Sequence, residues 1–211
     1  MDVTPRLQKL FDAERTVRAL HTELSAVDGA ALVTAITPIA REMLASSDSA
    51  EANLKLVRIA ELLADVPGEA SVDLLVDILG SEEGEARLSA GEALEERGYS
   101  RYKELALAIE RALDRLPKDS VALQELPYLL AELPEPSVTK LLGRFLALES
   151  ADATCAAIEA LVEVGDPAGA KLLAPLEKDT RTVDVAGETR ITVGELAREA
   201  MDLLRRARAG E

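Results

Sequence analysis

The sequence predicts an all-α protein: a right-handed α-solenoid of about five helix pairs, with capping helices and a short β-hairpin insertion near the C-terminus. Hydrophobic residues make up 48% of the 211 residues, but aromatic residues only 2%. The core must therefore be built from Leu, Ala, Val and Ile, which suits close-packed helices. Apolar residues also recur at three- and four-residue steps, which is typical of amphipathic helices.

A helix-ending corner recurs along the chain. From Pro67 to Gly98, then to Pro134 and to Gly165, the steps are 31, 36 and 31 residues. Leucines hold the same register around each corner, at Leu63, Leu94, Leu130 and Leu161 before it and at Leu74, Leu105, Leu141 and Leu172 after it. Self-similarity at this period indicates stacked repeats, which bury their apolar faces against one another.

We divide the chain, as a single repeat domain over 1–211, into two ends and four repeat units. Capping helices occupy 1–45, repeat units 51–80, 84–116, 119–149 and 152–179, a hairpin insertion 181–193, and a C-terminal capping helix 194–208. Within the first cap, residues 4–27 form an amphipathic helix whose apolar residues are available for packing: Leu7, Leu10, Val17, Leu20, Leu24 and Val27. Ser81, Asp119 and Asp152 are predicted to cap helix starts, and Gly98 and Gly165 to end helices.

The segments LSAGEAL and CAAIEALVEVGDPAGAKLLAPL resemble bacterial HEAT-like repeats, including those of phycobilisome-lyase-like proteins. The matching residues are Ala93, Leu94 and Gly98 in the second unit, and Ala160, Leu161, Gly165, Asp166 and Pro167 in the fourth. The first and third units depart from this pattern, with Pro67 and Pro134 in place of the corner glycine. The resemblance covers roughly residues 28 to 207 and implies HEAT-like helix pairs. A resemblance in fold does not by itself assign a function. A third possible function, a chromophore-lyase or chaperone role, is implied only by the resemblance to phycobilisome-lyase-like repeats.

Composition excludes some classes of partner. The chain has 24 basic and 39 acidic residues, for a net charge of -15. Such a surface repels nucleic acid and anionic lipid, so we expect no nucleic-acid or membrane partner. No signal peptide or membrane-spanning run is recognisable. The single cysteine, Cys155, allows no internal disulfide, which fits a cytoplasmic location.

No catalytic arrangement is recognisable, and the prediction is a protein that is not an enzyme and needs no cofactor or metal. His21 is the one histidine and lies far from Cys155 in sequence, so neither a zinc site nor a Cys/His pair is indicated. We predict a structural or surface role for His21. Cys155 is in register with Val57 and Leu88, which predicts a small buried core residue.

The most informative functional pattern is a pair of acidic rows on the first helices of the repeats. One row is Glu61, Glu92, Tyr128 and Glu159, and the other is Asp65, Glu96, Glu132 and Glu163. We expect them to line a concave groove that binds a basic segment of another protein, with Tyr128 as an aromatic anchor. The alternative is that a solvated helix face in an acidic protein is simply acidic.

The hairpin insertion is a second candidate site. Alternating apolar residues around Ala186-Gly187-Glu188 predict two short strands, and the residues that would contact a partner are Val183, Val185, Glu188, Arg190 and Ile191. The insertion either carries binding specificity or caps the end of the stack.

From these patterns we predict a non-enzymatic protein-binding scaffold or adaptor. The alternative is an inhibitor or immunity-type protein whose acidic groove blocks the basic cleft of a nucleic-acid enzyme.

Overall fold

A computed structural model describes residues 3–184 and 190–209, with side chains described up to residue 206. The described chain is mostly helical with one small sheet, so the prediction of a mainly α protein is confirmed. The helices are α1 (Thr4–Ser25), α2 (Gly29–Leu44), α3 (Ser49–Leu63), α4 (Glu69–Leu79), α5 (Gly84–Arg115), α6 (Val121–Ala131), α7 (Val138–Phe145), α8 (Ala151–Val164), α9 (Gly169–Leu173) and α10 (Val193–Ala209). A 3₁₀ turn at Ala174–Leu176 follows α9, and the strands are β1 (Thr182–Val183) and β2 (Ile191–Thr192).

One contiguous apolar core runs from Leu32 in α2 to Leu204 in α10. Helix α3 packs on α5, α6 packs on α8, and α8 packs on α10, while α4 packs along α5. The core consists mainly of Leu, Ala, Val and Ile, with Phe145 fully buried in α7. This composition is the one that the sequence predicted from its shortage of aromatic residues.

The predicted corners differ from one another in structure. Gly165 ends α8 in the left-handed conformation with φ 67°, where glycine avoids the Cβ strain of other residues. Pro67 and Pro134 lie in the connections after α3 and α6. The prediction that Gly98 ends a helix is wrong, because α5 continues past it and is interrupted at Arg101 (φ -148°, ψ 50°).

A close approach between helices explains the glycine at position 98. A Cβ added there would lie 2.6 Å from Leu133 Cδ1 and 3.1 Å from Leu105 Cδ2. Both leucine side chains are buried, so they have little room to move away. Gly98 is thus explained by the packing of α5 against the segment that follows α6.

Helix starts are capped largely by residues other than those predicted. Asp28 accepts a hydrogen bond from Ala31 N at the start of α2, and Asp48 accepts one from Glu51 N at the start of α3. At the start of α8 the acceptor is Ser150, not Asp152, which lies within the first turn. Helix α6 begins after Ser120 without a side-chain cap, so the prediction for Asp119 is also wrong. Ser81 accepts a hydrogen bond from Glu83 N before the helix, but α5 begins after Glu83 without a side-chain cap, so the prediction for Ser81 is wrong as well.

Helix α1 does not bury the apolar face that the sequence assigned to packing. It contacts α3 but contains no buried residue. Leu10 is 60% exposed, Leu20 51% and Leu24 42%. No helix in the described ranges 3–184 and 190–209 is long and apolar enough to cross a membrane.

The two predicted strands form a short antiparallel sheet after α9. Thr182 pairs with Thr192, and Val183 pairs with Ile191. Val183 is buried, and β1 contacts α8 while β2 contacts α10. The strands therefore lie against the last two long helices of the chain.

Candidate functional site

All eight residues of the two predicted rows are exposed. They project from α3, α5, α6 and α8, or from the residues that immediately follow these helices. Seven of them fall into three local groups: Glu61, Glu92 and Glu96; Glu92, Tyr128 and Glu159; and Glu132 with Glu163. We call the whole set the acidic face: Glu61, Asp65, Glu92, Glu96, Tyr128, Glu132, Glu159 and Glu163.

The first group lines an open cleft of about 640 Å³ between α1 and the first helices of the repeats. Glu61, Glu92 and Glu96 contribute carboxylates to this cleft. Helix α1 contributes three ionisable or charged residues, namely Glu14, Arg18 and His21. Arg58 also lines the cleft, and its Nη1 lies 2.8 Å from Glu61 Oε2. Both signs of charge therefore meet at this end of the acidic face.

Two further clefts extend the acidic face toward α8. Glu92 and Tyr128 line a cleft of about 360 Å³, together with Arg87 and Glu125. Glu132 and Glu163 line a third cleft, of about 440 Å³, beside Pro134 and Pro136. Asp65 lines none of these three clefts.

Tyr128 and Glu159 are joined across α6 and α8. The Tyr128 hydroxyl donates a 2.5 Å hydrogen bond to Glu159 Oε2. Burial and this carboxylate raise the pKa of Tyr128 well above its ordinary value of 10.0. Tyr128 is nevertheless 45% exposed, so its ring remains available as a contact surface.

Cys155 lies on the same face rather than in the core. Its thiol is 3.7 Å from Glu159 Oε1, and the side chain is half-buried. The prediction of a buried core residue is wrong, because the repeat position that Cys155 shares with Leu88 lies at the surface. Leu88 is 64% exposed. Burial and the neighbouring Glu159 raise the pKa of the Cys155 thiol to about 12, which disfavours the thiolate needed for nucleophilic attack.

The second helices of the repeats are α4, the part of α5 after Arg101, and α7, and their acidic residues are paired with arginines. Arginines there reach carboxylates of the preceding pair: Arg111 reaches Asp73, Arg115 reaches Asp77, and Arg144 reaches Glu110 and Asp114. The Arg111–Asp73 contact is bidentate, with nitrogen–oxygen distances of 2.9 to 3.2 Å. Within the described part of the chain, no ion pair is made by Asp65, Glu92, Glu96, Glu132 or Glu163.

Sequence reasoning missed Arg97, which is only 2% exposed. Its Nη2 donates to the backbone carbonyls of Leu63, Ala64 and Val66 at 2.7 to 3.1 Å, and its Nη1 lies 3.5 Å from Glu104 Oε1. The guanidinium thus satisfies carbonyls at the end of α3 from the neighbouring repeat. In the repeat register, Arg97 aligns with Val66 and Val164. A charged residue at a position that is apolar in other repeats needs buried partners, so this alignment could have predicted a structural role for Arg97.

Arg181 was also missed and plays a similar part before the hairpin. Its Nη1 donates to the carbonyls of Leu148 and Glu149, while Asp179 accepts from its Nε and Nη2. This arginine holds down the pKa of Asp179 below its ordinary value. The contact connects the hairpin to the end of the α7 segment.

The hairpin is a less accessible candidate site than the sequence predicted. Val183 is buried and Ile191 is partly buried, so both contribute to packing. Arg190 is exposed, and its Nε lies 3.1 Å from Asp184 Oδ1. Val185 and Glu188 lie outside the described residues.

Across residues 3–184 and 190–209, no cluster of His, Cys, Asp or Glu has the grouping of a metal site. What the acidic face can do chemically is attract cations and accept hydrogen bonds. The carboxylates of Asp65, Glu92, Glu96, Glu132 and Glu163 are exposed and make no ion pair in the described chain, so each is free to attract a basic side chain.

The comparisons with known proteins yield little. No protein-family model and no curated protein matches the chain. Among solved structures, the chain is similar to the crystal structure of an engineered protein, with 19% identity, 98% coverage of both chains and a TM-score of 0.39. A likeness at that TM-score carries no argument about fold or function.

Proposed function

We propose that this chain is a non-enzymatic protein-binding scaffold or adaptor that binds a basic segment of another protein on the acidic face. The observation that carries the proposal is the contrast between the two sets of helices. Acidic residues on the second helices are neutralised by Arg111, Arg115 and Arg144, whereas most on the first helices have no cationic partner in the described chain. Neighbouring carboxylates without counter-charges repel one another, and a basic partner relieves that repulsion.

We also propose that α3 to α10 stack as HEAT-like helix pairs in an α-solenoid. It is supported by the 31-, 36- and 31-residue register and by the packing of α3 on α5, α6 on α8 and α8 on α10. In such a stack the first helices follow one another along a single surface. When the first helices follow one another in this way, their acidic residues form one continuous face. We further propose that the protein is located in the cytoplasm.

The test compares two quadruple variants of equal charge. The site variant carries Glu92→Gln, Glu96→Gln, Glu159→Gln and Glu163→Gln. The control carries Glu42→Gln, Glu82→Gln, Glu177→Gln and Glu199→Gln, all exposed residues outside the acidic face. Each variant changes the net charge from -15 to -11, because four carboxylates are removed in either case. Non-specific attraction is therefore matched between them.

The probe is a fluorescent oligolysine peptide of about 12 residues, titrated by anisotropy at low and high salt. We expect the site variant to weaken binding about tenfold, since exposed charge contacts contribute roughly 0.3–0.5 kcal/mol each. The control is expected to lose less than about threefold, and binding of both is expected to weaken as salt rises. Equal losses in the two variants would contradict a localised site. The same pair of variants, used as bait in a lysate, identifies partners that require the acidic face.

A further inference from the structure

Helix α1 presents an apolar stripe that the described chain leaves largely exposed, although Val17 also lines the cleft toward α3 and α5. Val3, Leu10, Val17 and Leu24 recur at seven-residue intervals, and Leu7 lies between the first two. Phe11, Leu20 and Val27 widen the stripe, and all eight side chains are between 37% and 60% exposed. One apolar position that repeats every seven residues, with Leu20 and Val27 three residues after Val17 and Leu24, matches part of the heptad pattern of a helix that pairs with another helix.

The exposed area is large enough for a stable interface. Exposed single apolar residues are normal, but eight of them on α1 and its flanking residues, between positions 3 and 27, mark an interaction surface. The eight side chains expose on the order of 700 Å² per copy, so pairing two stripes covers up to about 1,400 Å², within the range of specific interfaces.

The charges of α1 indicate which partner fits. The helix carries Arg6, Lys9, Arg15 and Arg18 against Asp12, Glu14 and Glu23, so it is slightly cationic in a chain of net charge -15. Arg15 pairs with Asp12, and Arg18 lies 3.9 Å from Glu14, within the helix. Arg6, Lys9 and Glu23 make no ion pair in the described chain, so both signs remain available at opposite ends.

A second copy of the same helix satisfies these charges when it runs antiparallel. The alignment that sets Leu7 against Leu24 of the second copy also sets Lys9 beside Glu23, two residues near the ends of α1 that have no ion pair in the described chain. A parallel pair instead brings the basic N-terminal turns of both copies together, and like charges repel. We propose that this chain forms a two-fold symmetric dimer through antiparallel pairing of α1 with α1 of a second copy.

The first experiment is light scattering on the full chain after size exclusion at micromolar concentration. We expect a mass of 45.2 kDa, twice the chain mass of 22.6 kDa. The double variant Leu10→Glu and Leu24→Glu is expected to elute at 22.6 kDa with unchanged helicity, because neither side chain is buried. The matched control is Leu54→Glu with Leu203→Glu, also exposed, which is expected to remain a dimer.

A cross-linking experiment tests the antiparallel orientation. In a Cys155→Ala background, chains with Lys9→Cys are mixed with chains carrying Glu23→Cys and oxidised. The mixture is expected to form a mixed disulfide, whereas Lys9→Cys alone is not, because two copies of position 9 are then about 21 Å apart. A monomeric wild type, a dimer that survives the α1 variant, or disulfide formation by Lys9→Cys alone would overturn the proposal. Binding of a monomeric chain to lipid vesicles through α1 would overturn it as well.

Discussion

The Tyr128 hydroxyl donates a 2.5 Å hydrogen bond to Glu159, which ties α6 to α8 in the middle of the acidic face. The tyrosine occupies a position where the neighbouring repeats carry glutamates, Glu92 on one side and Glu159 on the other. A third carboxylate there would add repulsion, whereas a hydroxyl donor stabilises the adjacent charge. Tyr128 therefore stabilises the acidic face in addition to offering an aromatic surface.

Replacing Tyr128 by Phe removes this hydrogen bond. We expect the free energy of unfolding to fall by about 0.5–1.5 kcal/mol in urea titrations at pH 8. The pKa of Tyr128 is raised in the folded chain, so its contribution is fully present below pH 10 and is lost as the pH rises above that value. The difference between wild type and Tyr128→Phe is thus expected to shrink above pH 10. A difference that stays constant up to pH 12 would contradict the assignment.

Cys155 is expected to react slowly with thiol reagents. Its pKa of about 12 leaves far less thiolate at pH 8 than an ordinary pKa of 9.0, so the alkylation rate is expected to be about 10²–10³-fold lower than in the urea-unfolded chain. Burial is the larger cause and Glu159 the second. Glu159→Gln is therefore expected to recover only part of the rate. A rate equal to that of the unfolded chain would show that the thiol is not protected.

The sequence predicted the helices well because helix formation is read from local periodicity. The four predicted repeat units begin within two residues of the starts of α3, α5, α6 and α8, and alternation around Gly187 predicts the strands that hold Val183 and Ile191. The acidic rows were predicted as exposed, and all eight residues are exposed, because their polar stripe follows from the same periodicity. Whether they bind a partner remains a prediction.

What sequence reasoning missed depends on contacts between residues distant in the chain. An apolar stripe on α1 predicts burial, but only the fold determines whether another helix covers it, and here no residue of α1 is buried. A glycine at a repeat corner suggests a helix end, yet Gly98 is explained by Leu133, 35 positions later. Arg97 was assigned no role because arginine is usually exposed, while its carbonyl partners lie in the preceding repeat.

Arg97→Met is expected to destabilise the chain strongly. The methionine fills most of the volume but leaves the Ala64 carbonyl without its donor, and it removes one of two donors from the carbonyls of Leu63 and Val66. Glu104 loses its nearer counter-charge and keeps only Arg101, at 4.0 Å. We expect a loss of about 2–4 kcal/mol in the free energy of unfolding, measured by chemical denaturation. Arg58→Met on the exposed face is the control, with an expected change below about 1 kcal/mol. Similar losses for the two variants would show that burial gives Arg97 no special role.

Gly98→Ala tests the close packing of α5. The added methyl group would lie 2.6 Å from a buried leucine side chain, so we expect a loss of about 1–3 kcal/mol in the free energy of unfolding. Gly91→Ala is the matched control in the same helix. Its Cβ would meet only Leu79 Cδ1, at 3.8 Å, and helix propensity then favours alanine by about 0.5–1 kcal/mol. Opposite signs for the two variants are therefore expected. If Gly98→Ala also stabilises the chain, Leu133 has room to move, and close approach does not explain the glycine.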